Sequence, residues 1–112
     1  MKNSILSCIK KLGRATFAHL EREVEGFAGE EQIALPCNLV LWIGASVKAA
    51  ETMRKLLDDK IILASPCSPA AYDGLGIPVP DLPVATALQK HDTFHWLPTS
   101  FEVRTVGPEF QP

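Results

Sequence analysis

Apolar residues recur at helical spacing in the first 27 positions of the chain. The first set is spaced by four and then three residues and consists of Ile5, Ile9 and Leu12. The second set is spaced by three, four and three residues and consists of Phe17, Leu20, Val24 and Phe27. Such spacing predicts one buried stripe on each of two helices, over residues 4–12 and 16–27. Gly13 is typical of a helix end and Thr16 of an N-cap, so the two helices should meet at a tight corner.

The middle of the chain carries the longest amphipathic pattern. Ser46 is a suitable N-cap for a helix over residues 47–59. The apolar arc of that helix consists of Ala49, Ala50, Met53, Leu56 and Leu57. The opposite arc is polar and consists of Lys48, Glu51, Thr52, Lys55, Asp58 and Asp59. One face of this helix should therefore be buried and the other exposed to solvent.

Short apolar runs flank this helix. Residues 39–43 are apolar at every position, and a run of this length between Asn38 and Gly44 favours a buried strand over a short buried helix. The run at residues 61–64, which is rich in β-branched side chains, predicts another strand. Residues 30–34 show neither pattern and are expected to form a loop.

Prolines and glycines punctuate the chain from residue 66 onward. Residues 77–84 alternate apolar side chains with prolines and an acid, which is typical of an edge strand. Residues 94–97 predict one more short strand, whereas residues 107–112 are expected to be a frayed tail. Together these patterns predict a single globular domain over residues 1–106.

Composition limits the class of protein. The 112 residues are 46% hydrophobic and 21% charged, which suits one hydrophobic core and excludes a second independent domain. Eleven basic residues against thirteen acidic ones give a net charge of −2, so binding to nucleic acid would need a local basic patch. The three cysteines have no regular spacing, which argues for reduced thiols in a cytoplasmic protein. The apolar stretch at the N-terminus is too short for a signal peptide, and no apolar run is long enough to span a membrane.

The order of these predicted elements resembles the winged helix-turn-helix family, in which two short helices, a longer helix and a β-hairpin wing follow one another. The resemblance rests on residues 4–12, 16–27 and 46–58 and on wing strands at residues 61–64 and 77–84. It implies an α+β fold with three helices and a small antiparallel sheet. Winged helices usually join their second and third helices by a short turn, whereas this chain has eighteen residues there, Ala28 to Ala45, with an apolar run inside.

The family also implies a mode of binding to nucleic acid. Its third helix enters the major groove and its wing contacts phosphate or the minor groove. The resemblance therefore assigns DNA contact to Ser46, Lys48, Thr52 and Lys55. Acidic residues share that helix face and repel the phosphates that supply most of the affinity. We expect a small non-enzymatic binding or regulatory module, with duplex DNA as the first candidate partner.

Two alternatives stay open. Residues 39–63 also fit a strand-helix-strand unit with parallel strands, which would give an α/β fold. Its first turn, Gly44-Ala45-Ser46, lacks the glycine spacing and the lysine of a phosphate-binding loop, so a nucleotide site is not expected. The alternative to DNA binding is docking to another protein or to a second copy, because apolar residues are dense at residues 75–84 and 96–106.

Histidines and cysteines provide a weak metal-binding pattern. His91 and His95 are four residues apart, a spacing that places two metal ligands on one face of a helix. Cys37 and Cys67 would have to complete the set. Because neither a Cys-x-x-Cys motif nor the zinc-protease pattern is present, we expect no metal and no cofactor.

The nucleophilic residues provide no catalytic pattern either. Ser68 or Ser100 with His95 and Asp92 is a combination that chance supplies in most chains of this size. Cys67 lies between prolines and serines, with no visible helix N-terminus to lower the pKa of its thiol. We therefore expect a protein that is not an enzyme.

Overall fold

The computed structural model describes residues 1–104, and their fold belongs to the α+β class, as predicted. Its helices are α1 (Lys2–Leu12), α2 (Phe17–Glu23) and α3 (Val47–Asp58). Its strands are β1 (Ala15–Thr16), β2 (Ala28–Leu35), β3 (Leu39–Ala45), β4 (Ile62–Pro66), β5 (His95–Trp96) and β6 (Thr99–Val103). A single 3-10 turn spans Pro69–Tyr72. The tail predicted at residues 107–112 lies outside the described residues.

The strands form two three-stranded sheets. Sheet A has the order β1-β6-β4, and both pairs of neighbours are antiparallel. Its central strand is β6, where Ser100 pairs with Thr16 of β1 on one side and with Ser65 of β4 on the other. Sheet B has the order β2-β3-β5, with an antiparallel β2–β3 hairpin and β5 parallel to β3. Sheet A therefore joins the start of the chain to the end of its described part.

The predicted helices form, and local caps mark the end of α1 and the starts of α2 and α3. In the apolar stripe of α1, Ile5 and Ile9 are buried as predicted, whereas Leu12 at the helix end is exposed. α1 is followed by Gly13, whose positive φ of 78° is unfavourable for residues with a Cβ. Thr16 and His19 form a capping box on α2: the Thr16 hydroxyl accepts from the His19 N–H, and the His19 ring accepts from the Thr16 N–H. The Ser46 hydroxyl caps α3 by accepting from the Ala49 N–H.

α2 is shorter than the helix predicted over residues 16–27. It ends at Glu23, since Val24 has an extended backbone and Gly26 has a positive φ of 81° that turns the chain toward β2. Val24 and Phe27 are nevertheless buried. Their apolar spacing predicted burial correctly, but a turn rather than a helix places them in the core.

The prediction of a loop at residues 30–34 is wrong, because these residues lie in β2. Nearly all of β2 is exposed at the edge of sheet B, so its sequence lacks the alternation that marks a half-buried strand. Positive φ angles at Cys37 and Asn38 form the turn into β3. The strand predicted at residues 39–43 is confirmed, and it continues to Ala45.

The prediction of a second wing strand at residues 77–84 is also wrong. Residues 77–84 contain no strand, and Val84 makes an isolated bridge to Trp96. Prolines interrupt this segment and remove backbone donors that a ladder needs. The strands predicted at residues 61–64 and 94–97 are confirmed as β4 and β5, but β4 pairs with β6.

The strand-helix-strand interpretation is contradicted by the sheet topology. β3 and β4 flank α3 in sequence, but they belong to different sheets and do not pair. The strand that lies parallel to β3 is β5. Residues 39–63 therefore do not form a parallel crossover unit.

An aromatic cluster fills the core between the two sheets. Trp42 of β3 stacks on Phe17 of α2 with 5.7 Å between ring centroids, and on Tyr72 with 5.6 Å. Phe17 packs edge-on against Phe101 of β6 at 4.8 Å, and Tyr72 against Trp96 of β5 at 5.0 Å. Each such pair contributes about 0.5–1.5 kcal/mol beyond the area it buries. Because the rings come from both sheets and from α2, the cluster fixes sheet A against sheet B.

Candidate nucleic-acid interface

The outward face of α3 is the candidate nucleic-acid interface. Ala49, Met53 and Leu56 are buried on the inner side of this helix, as the apolar arc predicted. The exposed charged residues on the opposite side are Lys48, Glu51, Arg54, Lys55 and Asp58. The helix therefore presents a face of mixed charge to solvent.

Two of the predicted DNA-contacting residues have hydroxyl groups that are engaged within the fold. Ser46 Oγ donates to Gly26 O at 2.7 Å and accepts from the Ala49 N–H at 3.1 Å. Thr52 Oγ1 donates to Lys48 O at 2.7 Å, the bond that a helical threonine commonly makes to the preceding turn. These hydroxyls stabilise the helix, and contact with a phosphate would compete with those bonds.

The basic side chains of the same face are more accessible. Lys55 Nζ lies 3.3 Å from the Asp59 carboxylate, but both side chains are largely exposed, so the pair contributes about 0.2–1 kcal/mol at most. A phosphate can therefore replace Asp59 at small cost. Arg54 was missed by the sequence interpretation, although its position three residues after Glu51 places it on the polar side of the helical wheel. Lys48, Arg54 and Lys55 are the cations that α3 offers.

The long segment between β4 and β6 is acidic. Residues 67–98 contain three Asp residues and one Lys. Tyr72 anchors this segment to the core: its hydroxyl donates to Thr99 O at 2.8 Å and accepts from the Phe17 N–H at 3.4 Å. An acidic segment held in this way attracts phosphate poorly, so between this segment and α3 the cations of α3 are the better candidate for contact with DNA.

The two histidines lie together, but their rings stack. The ring centroids of His91 and His95 are 3.8 Å apart, and the ring planes are inclined by 18°. His95 Nδ1 lies 2.9 Å from Thr93 O, an arrangement in which this nitrogen donates and is not available to a metal. Cys37 contacts His91 through its backbone carbonyl, which accepts from the His91 N–H at 3.3 Å. In residues 1–104, no three His, Cys, Asp or Glu side chains gather as metal ligands would.

The candidate nucleophiles Ser68, Ser100 and Cys67 are buried or serve to stabilise local structure. Ser68 caps the 3-10 turn with its hydroxyl, and Ser100 is buried in the central strand of sheet A. Burial raises the pKa of the Cys67 thiol, so this thiol is protonated near neutral pH and is a poor nucleophile. Across the described part of the chain, no hydrogen bond joins Ser68 or Ser100 to His95.

An apolar groove lies beside β4, and we call it the β4 groove. Its volume is about 260 Å³. Ala64, Ser65 and Pro66 of β4 line it, together with Thr99 of β6. The rest of its lining is dominated by Leu35, Leu41, Leu57, Leu88 and Leu97. Leu88 is 68% exposed and Leu35 is 38% exposed, which is unusual for leucines grouped around one groove.

Comparisons with protein-family models, with curated proteins and with solved structures give no match for this chain. Residues 1–104 contain no helix that is both long and apolar enough to cross a membrane. The function is therefore inferred from the fold and from these two surfaces.

Proposed function

We propose that this protein is a winged-helix binding module that contacts duplex DNA with the outward face of α3. The order of its elements supports the proposal. α1, α2 and the longer α3 are followed by the antiparallel β4–β6 pair, whose strands are connected by residues 67–98, a segment that contains the 3-10 turn and β5 of sheet B. This is the order on which the winged-helix resemblance rests, with β6 taking the place that residues 77–84 held in the sequence interpretation.

The β2–β3 hairpin accounts for the long connection between α2 and α3. Its two ends are clamped together, because the Ser46 N–H donates to Phe27 O at 2.7 Å and Ser46 Oγ donates to Gly26 O. An insertion whose ends meet in this way allows α3 to follow α2 almost as closely as a short turn would. The departure from the family pattern is thus compatible with the proposed fold.

The observation that carries the proposal is the exposed face of α3 with its three cations, Lys48, Arg54 and Lys55. Glu51, Asp58 and Asp59 lie on the same face and weaken its attraction for phosphate. Each neutralised phosphate contributes about −0.9 to the slope of log K against log salt, so three cations give a slope of about −2 to −3. The expected binding is weak and sensitive to salt.

A titration of labelled mixed-sequence duplex DNA, followed by fluorescence anisotropy, tests this function. We expect wild-type protein to bind at low salt and the double variant Lys48→Glu/Arg54→Glu to lose at least about tenfold in affinity. The matched control is Lys10→Glu/Lys11→Glu, which makes the same change in net charge on the exposed end of α1. Equal losses in the two double variants would indicate a general charge effect, and no binding by wild type at low salt would refute the proposal.

The β4 groove favours a second function, which is docking to a protein. Contiguous exposed apolar side chains on a soluble domain commonly mark such a surface. The groove and the exposed face of α3 have different residues, so the two functions are separable by mutation.

A further inference from the structure

A small cleft lies between the start of α1 and the second half of α3, and we call it the α1–α3 cleft. Its volume is about 170 Å³. Pockets for drug-sized ligands have volumes of about 300–1,000 Å³, so this cleft suits one small chemical group. The residues that line it are Lys2, Thr52, Lys55, Leu56, Asp59 and Ile61.

The start of α1 lies close to α3 because of how the chain is packed there. Met1 is half-buried and packs against the hydrophobic core. Its Cε atom lies 3.5 Å from the position that a Cβ would take at Gly26, and Gly26 O accepts from the hydroxyl of Ser46, the N-cap of α3. The next residue, Lys2, is therefore brought beside α3 by the fold, which the sequence pattern of α1 did not indicate.

The α1–α3 cleft contains two cations and one carboxylate. Lys55 Nζ lies 3.3 Å from the Asp59 carboxylate, but both side chains are largely exposed, so this pair is weak. Within residues 1–104 the salt bridges are this pair and Arg14–Glu102, so Lys2 has no carboxylate partner among those residues. An anion entering the cleft therefore meets a net charge of +1, and by replacing Asp59 it would contact both ammonium groups.

The cleft lies on the cationic side of α3. Lys48 and Lys55 are seven residues apart, so they lie two turns apart on one side of the helix and form a cationic strip. Thr52 lies between them on the same side and lines the cleft. Glu51 and Asp58 are also seven residues apart and form a neighbouring acidic strip. The α1–α3 cleft therefore continues the cationic strip.

We propose that the α1–α3 cleft binds one phosphate group of the duplex backbone, held jointly by Lys2 and Lys55. A backbone phosphate carries one negative charge, and its free oxygens accept charge-assisted hydrogen bonds from ammonium groups. This inference rests on the proposed function and adds to it a residue outside α3. Because phosphate contacts fix the orientation of a protein on DNA and carry no sequence information, Lys2 would orient α3 on any sequence.

The salt dependence of duplex binding tests the inference, measured by fluorescence anisotropy with a labelled mixed-sequence duplex. Lys2→Gln removes the charge, and Lys2→Arg retains it. The matched control is Lys10→Gln, which makes the same change in net charge about 12 Å further along α1. Removing a cation from the first turn of a helix does not weaken that helix, because the macrodipole disfavours a cation there. Circular dichroism checks that each variant is folded.

We expect Lys2→Gln to lower the affinity by about two- to fivefold at low salt, which is the range of an exposed ion pair. Lys2→Arg and Lys10→Gln should stay within about 1.5-fold of wild type. In the double variant Lys2→Gln/Lys55→Gln, the slope of log K against log salt should decrease by about 0.9 in magnitude, because one phosphate contact is lost. Two separate phosphates would decrease it by about 1.8.

Three results would overturn the inference and leave the proposed function intact. They are an unchanged affinity in Lys2→Gln, an equal loss in Lys10→Gln, and a slope that decreases by about 1.8 in the double variant. Wild-type protein that does not bind the duplex at low salt would refute the proposed function and this inference together. The two failures are therefore distinguishable in one set of titrations.

Discussion

The hydroxyl of Tyr72 holds the segment between β4 and β6 against the core, and its removal tests how the two sheets are kept together. It donates to Thr99 O at 2.8 Å and accepts from the Phe17 N–H at 3.4 Å. Tyr72→Phe retains the ring that stacks on Trp42 and leaves both buried backbone groups without this partner. The variant therefore isolates the two hydrogen bonds from the aromatic packing.

We expect Tyr72→Phe to lower the free energy of unfolding by about 2 kcal/mol. A hydrogen bond contributes about 0.5–1.5 kcal/mol net, and a buried group left unpaired costs about 1–3 kcal/mol. The bond to Thr99 is short, whereas the bond to Phe17 is long and weak, which favours the middle of that range. With a denaturant slope of about 2 kcal/mol per molar urea, the midpoint falls by about 1 M.

Urea unfolding followed by tryptophan fluorescence measures this loss. The control is Thr52→Val, which removes a more exposed hydroxyl donating to Lys48 O and should change stability by less than about 0.5 kcal/mol. Tyr72 is the only tyrosine in the sequence, so phenolate absorbance offers a second readout. Burial raises the pKa of Tyr72 well above its usual range, so native protein should show no phenolate near pH 10–11, where the unfolded chain ionises. Equal stability of Tyr72→Phe and wild type, or phenolate formation in native protein at that pH, would refute the reasoning.

Two further predictions concern local structure. Burial lowers the pKa of His19, so stability should be constant above about pH 6.5 and fall at lower pH, where the unfolded chain binds a proton first. His19→Gln offers its side-chain amide oxygen as an acceptor for the Thr16 N–H and does not titrate. It should therefore remove that part of the pH dependence in urea unfolding from pH 5 to 7.5, and an unchanged profile would contradict the capping role. Gly29→Ala would place a Cβ 2.5 Å from Ser46 Cα and should lower the free energy of unfolding by about 1–3 kcal/mol, whereas a thermal midpoint equal to that of wild type would contradict this close approach.

The helices could be predicted from the sequence because their signals are local. The apolar stripes of α1 and α3 repeat over more than two turns, and Gly13, Thr16 and Ser46 mark the ends within a few residues. The strands depend on distant partners. β2 is exposed and has no alternation, and the choice of β6 as the centre of sheet A depends on pairing between Ala15 and Phe101 at opposite ends of the described chain.

The candidate surfaces could be predicted only in part, because some of their features depend on local periodicity and others on contacts between distant residues. Helical periodicity placed Lys48 and Lys55 on the exposed face of α3 correctly. It could not reveal that Ser46 donates to Gly26, twenty residues earlier in the chain, since that bond depends on the inserted hairpin. The β4 groove was equally hidden, because a sequence pattern does not indicate which edge of a strand remains unpaired.

The central claim is that the outward face of α3 contacts duplex DNA. A titration of isotope-labelled protein with a mixed-sequence duplex, followed by amide chemical shifts, tests this claim most directly. We predict that shifts concentrate at residues 47–55 of α3 and fade as salt is raised, because the contacts are to phosphate. Residues 30–35 of β2 serve as the internal reference, since Glu30 and Glu31 should repel the duplex. Shifts centred on β2, or an α3 that is unaffected at saturating duplex and low salt, would contradict the account.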